Sequence, residues 1–132
     1  MNKILALGGL ILALTLLVAC APAEPEFPDY STPELSVASL KHAAENEDAF
    51  AVYDVFSDAF KEEAGVDFEL FRQSLEANPS EYDRMANIEV QQVFDDGQVV
   101  IVLLTDGDRM FFISEQGRWK IRMIAPSSQP SI

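Results

Sequence analysis

Apolar positions follow three rhythms along this chain. Ile4 to Ala19 run without a charge, broken only by Gly8, Gly9 and Thr15. From Thr32 to Asn78 apolar residues return every three or four positions. From Ala86 to Ile124 they come in short blocks separated by Asp- and Gly-containing turns. The first pattern belongs to export or membrane segments, the second to amphipathic helices and the third to strands.

The middle section predicts three helices. Thr32 is the N-cap of the first, with Pro33 in its first turn and Glu34 next. Val37, Leu40, Ala43 and Ala44 form its apolar stripe. The second starts near Asp48 and carries Ala49, Val52, Tyr53, Phe56, Ala59 and Phe60 as one continuous stripe ending at Gly65. The third follows Asp67, buries Phe68, Phe71 and Leu75, and stops at Asn78-Pro79. The last section predicts four strands: Ala86 to Phe94, Gln98 to Thr105, Arg109 to Ser114 and Arg118 to Ile124. Gly97, Gly107 and Gly117 sit in the turns between them, ten residues apart. Helices followed by a four-stranded antiparallel meander make an α+β domain over residues 32–125. Residues 126–132, polar with two prolines, read as a flexible tail.

The helical first half, the Asn46-Glu47-Asp48 break and the closing strand Gly117-Arg118-Trp119-Lys120-Ile121 resemble the nuclear transport factor two-like superfamily. A cystatin-like helix on a curved sheet is the neighbouring alternative. The resemblance implies a cone-like domain in which N-terminal helices pack on a curved sheet, and members that often pair through that sheet.

At the N-terminus, Asn2 and Lys3 precede the apolar run, and Leu17-Val18-Ala19-Cys20 closes it. That tetrad resembles the lipobox of bacterial lipoproteins; an ordinary signal peptide or uncleaved anchor containing a Cys is the alternative. The resemblance implies a signal peptide over residues 1–19, cleavage between Ala19 and Cys20, and membrane attachment through lipid on Cys20. Ala21 in place of Asp implies the outer membrane, facing the periplasm, in a two-membrane cell. In a single-membrane cell the protein would sit outside the plasma membrane. Cys20 is the only cysteine, so no disulfide reinforces the domain. Residues 20–31 are Pro-rich and acidic, an extended tether, in which Phe27 and Tyr30 either stay with the tether or dock on the domain.

Charge narrows the partners. The net charge is −13. Between Glu34 and Asp83 thirteen acids face three bases, a surface that repels nucleic acid and anionic headgroups. Little catalytic chemistry is in place. His42 is the only histidine and points away from the stripe of its helix. Asp106-Gly107-Asp108 lacks the remaining ligands of a calcium loop and reads as a turn. Asp54 and Asp58 are spaced as a carboxylate pair but lie opposite the apolar stripe, on the solvated side. Tyr53 is either a packed core residue or a pocket hydroxyl. No cofactor or metal-ligand motif occurs, and no catalytic residue is assigned.

Two surfaces carry the functional expectation. The blocks Val99 to Leu104 and Met110 to Ile113 are apolar at both parities, whereas a sheet covered on one side alternates. Either a partner covers Val99, Ile101, Phe111, Phe112 and Ile113, or sheet curvature buries them within the chain. In the last strand Trp119, Ile121 and Met123 share one face. Arg118, Lys120 and Arg122 share the other, as a solvated stripe with cross-strand partners such as Glu89 or as an anion contact. The sequence thus points to a membrane-anchored binding module. Its partner would be a second copy, an envelope protein or a small apolar ligand in the cone. An isomerase- or hydrolase-like enzyme, or a structural accessory subunit, is the competing reading.

Overall fold

The computed structural model describes residues 25–127, as five helices followed by four strands. The expected signal peptide, Cys20 with its expected cleavage site, the start of the expected tether and residues 128–132 of the expected tail lie outside the described residues.

Helix α1 spans Pro33–Glu45, and the Thr32 side chain accepts a hydrogen bond from Leu35 N–H at 3.1 Å. Its buried face holds Ser36 and Ser39 as well as Val37, Leu40, Ala43 and Ala44. The serines let neighbouring backbone come close. Ser36 Oγ donates to the Trp119 carbonyl at 2.6 Å; Ser39 Oγ donates to the Asp29 carbonyl at 3.0 Å and accepts from Asp29 N–H at 2.8 Å.

The single long second helix expected from the stripe is two helices, α2 (Ala49–Val55) and α3 (Asp58–Ala64). At Phe56 the backbone turns extended (φ −78°, ψ 145°). There Ser57 N–H donates to the Ile121 carbonyl at 2.8 Å, and the Ser57 side chain caps α3 through Phe60 N–H at 3.0 Å. The stripe survives the break because Phe56 and Phe60 still stack on each other, 4.9 Å between ring centroids. Helix α4 spans Phe68–Ala77, capped by Asp67. Asn78-Pro79 ends it as expected, but Pro79 also starts a fifth helix, α5 (Ser80–Ala86). The first strand is correspondingly shorter than expected.

Strands β1 (Val90–Asp95), β2 (Val99–Leu104), β3 (Arg109–Glu115) and β4 (Arg118–Ala125) form an open antiparallel meander in chain order. Val100, Val102, Leu104, Met110, Phe112 and Ile121 point at the helices. There they join Leu40, Val52 and Val55 in the core. Burying each such side chain contributes roughly 1.5–3 kcal/mol. The other parity faces outward. Phe112 therefore belongs to the core, fully buried, and not to the candidate partner face. Val99, Ile101, Phe111 and Ile113 do lie on the outer face, half-buried against one another. The register aligns Phe94, Ile101, Phe111 and Met123 as one apolar row across all four strands, and its two ends, Phe94 and Met123, are 47% and 48% exposed.

Strand β4 departs from simple alternation. A bulge pairs Phe111 with Met123 but Phe112 with Ile121, leaving Arg122 as the extra residue. Met123 therefore faces outward, away from Ile121. Trp119 is half-buried and packs against the core. The outer edge of β4 is closed by the Ser57–Ile121 bond and by Trp119 N–H donating to the Tyr30 carbonyl at 2.8 Å. Among the described residues, no strand lies beside the outer edge of β1.

Candidate functional site

The tether's last residues belong to the domain. Tyr30 is buried and its hydroxyl donates to Asp54 Oδ2 at 2.9 Å. Phe27 stacks on His42 at 4.9 Å, and His42 is solvent-exposed as expected.

The basic stripe is not a stripe. Lys120 is buried. Its Nζ lies 3.8 Å from the centre of the Tyr30 ring, donates to the Asp54 carbonyl and sits 3.5 Å from Asp54 Oδ2. Burial lowers the Lys120 pKa against the pull of Asp54, and burial with the Asp54 carboxylate raises that of Tyr30. Arg122 pairs with Glu63 of α3. Only Arg118 is exposed. The partners thus come from the helices and not from Glu89. Asp54, expected on the solvated side, holds the domain's N-terminal segment, α2 and β4 together, while Asp58 stays exposed. Tyr53 is a packed residue: its ring meets Phe68 and Phe71, Lys61 lies 4.1 Å above it, and its hydroxyl donates to the Val66 carbonyl at 3.0 Å.

A cavity of about 600 Å³ lies elsewhere, between α4, α5 and the helix-facing side of the sheet. Leu40, Phe56, Leu75, Leu104 and Met110 form an apolar floor. Polar residues from the α4–α5 corner, α5, the α5–β1 link and the β2–β3 turn make much of the rest of the cavity's lining, among them Asn78, Glu81, Arg84, Glu89, Asp106 and Asp108. Local chemistry sets this polar lining. Asp106-Gly107-Asp108 makes the turn between β2 and β3, and Gly107 has φ +94°. A Cβ there would come within 2.8 Å of Ser127 Cβ, so glycine permits both the turn and the passage of the C-terminal segment. Asp108 is consequently buried. It accepts from Ser127 N–H at 2.9 Å and from Arg84 at 2.8 Å. These two donors, Ser127 first, hold its carboxyl below the usual range. Arg84 also reaches Glu81 at 3.5 Å.

An apolar floor with a few polar groups is the arrangement common to small-molecule sites. Sequence reasoning missed Arg84 and Asp108 as a pair. A usable signal was present: Glu81 and Asp83 early and Arg84 late after Pro79 mark a short helix, which carries Arg84 to the cavity. Among the described residues no group of three or more His, Cys, Asp or Glu side chains is arranged to hold a metal ion, and no helix is long and apolar enough to cross a membrane. No protein-family model, curated protein or solved structure matches the chain.

Proposed function

We propose that the protein is a cell-envelope lipoprotein, anchored through Cys20, whose domain binds a small, largely apolar molecule in the cavity between α4, α5 and the sheet. The address rests on Leu17-Val18-Ala19-Cys20 behind an uncharged run. Two or three lipid chains on one residue hold a protein firmly where a single chain does not. In a two-membrane cell the domain would face the periplasm from the outer membrane. Helices preceding a meander closed by the Gly117-Arg118-Trp119-Lys120-Ile121 strand support placing it with the nuclear transport factor two-like superfamily.

The observation that carries the binding role is the cavity itself. Its volume of about 600 Å³ falls within the range of small-molecule sites, roughly 300–1,000 Å³. Methionines report on it directly. Met85 and Met110 line it, while Met123 lies on the opposite sheet face. The full lipidated chain in nanodiscs, labelled on its methionine methyls, is titrated with neutral phenylbutanol. Met85 and Met110 signals shift with saturation and Met123 does not. Ser74→Trp, an exposed helical position at the opening, suppresses the shift. No shift at Met85 and Met110 overturns the reading.

The row Phe94, Ile101, Phe111 and Met123, which ends on the edge strand β1, supports a second reading. This face would dock a second copy or another envelope protein.

A further inference from the structure

The polar lining of the cavity specifies the charge of its ligand. Four acidic residues line the cavity, Glu81, Glu89, Asp106 and the buried Asp108, against one basic residue, Arg84. Asp108 and Glu81 already hold its guanidinium. Among the described residues, Glu89 and Asp106 have no basic group within ion-pair distance, and both are exposed beside the opening. The floor, by contrast, is apolar and includes the Phe56 and Phe71 rings. A ligand lying on this floor brings its polar end to an anionic lining. The surrounding field has the same sign, with thirteen acids against three bases over Glu34 to Asp83. An anionic head would meet these carboxylates with Arg84 already engaged; a cationic head would find two open partners.

We propose that the cavity binds amphiphilic cations, molecules with an apolar body and an amine or quaternary ammonium head, and discriminates against the corresponding carboxylates. This rests on the cavity being a ligand site, and the phenylbutanol titration tests that separately.

The same methionine-labelled chain in nanodiscs is titrated at pH 7 with phenylbutylamine, phenylbutanol and phenylbutyrate, which share one apolar body and differ in head charge. The amine is expected to bind ~10-fold more tightly than the carboxylate, with the alcohol between, a gap typical of one or two carboxylates acting across partly solvated space. Half-molar salt narrows the gap. Glu89→Gln with Asp106→Asn narrows the gap between amine and carboxylate as well. The amide introduced at position 106 keeps an oxygen for the Asp108 N–H that Asp106 accepts at 2.8 Å. Saturable alcohol binding with the amine no tighter than the carboxylate overturns the proposal and leaves the cavity a ligand site. Shifts confined to Met123 place the amphiphiles on the outer sheet face and overturn it too.

Discussion

At the scale of single residues, the least legible feature was the Lys120, Asp54 and Tyr30 cluster. Alternation placed Lys120 on a solvated stripe, and helical periodicity placed Asp54 on a solvated face. Each was reasonable for its own element. Only the docking of Tyr30 across the edge of β4 covers Lys120 and brings it against the half-exposed Asp54, and no local pattern encodes that. The cluster makes an asymmetric prediction. Asp54→Ala removes the acceptor of the Tyr30 hydroxyl and the counter-charge of the buried ammonium, which keeps only the main-chain carbonyl at position 54 and the Tyr30 ring, and is expected to cost about 2–3 kcal/mol. Lys120→Met removes the charge and keeps the packed stem, so its cost stays within about 1 kcal/mol. Urea unfolding of both variants measures the contrast, and equal losses would show that the charge pairing is not what holds the segment. Asp108 adds a pH dependence. Its carboxyl lies below the ordinary value of about 3.9, so the unfolded chain binds that proton more tightly. Its contribution is fully present above pH ~4 and is lost as pH falls through the folded-state value. The stability gap between wild type and Asp108→Asn should therefore shrink on acidification, as read from urea midpoints across that window.

At the scale of elements, the four strands and the starts of α1 and α4 were legible because their signals are local: Thr32-Pro33, Asp67, and the glycine turns at 97, 107 and 117. The α2–α3 break was not. The stripe from Ala49 to Phe60 keeps helical spacing across it, and one serine in such a run looks incidental. Ser57 interrupts the helix because its N–H serves the Ile121 carbonyl on β4 while its hydroxyl caps α3. Ser57 is fully buried, so water cannot replace the lost acceptor. Ser57→Ala is expected to cost about 1–2 kcal/mol, the upper range for a cap. Ser57→Thr, which keeps the hydroxyl, tests whether the acceptor is responsible: recovery of most of the loss in thermal unfolding supports the cap, and equal loss points to volume.

At the scale of the whole molecule, the sequence made the outer sheet face visible through blocks apolar at both parities, but it could not sort Phe112 from its neighbours. Parity does so once the register is fixed, and the β4 bulge adds Met123 to the row while removing it from the core. The same register makes the face a testable self-association surface. Two copies stacked through Phe94, Ile101, Phe111 and Met123 would bury apolar area while each carries the same negative field. Apolar burial drives such a pair and charge repulsion opposes it. Salt screens the repulsion, so association of residues 25–132 should strengthen as salt rises; an interface built on ion pairs would weaken. Sedimentation equilibrium across a salt series distinguishes the two. Phe94→Gln with Met123→Gln removes the exposed ends of the row. These surface changes alter stability by no more than about 1 kcal/mol in total, and they should return the protein to monomer at every salt concentration. A wild-type chain that stays monomeric throughout the series rules out self-association through the row.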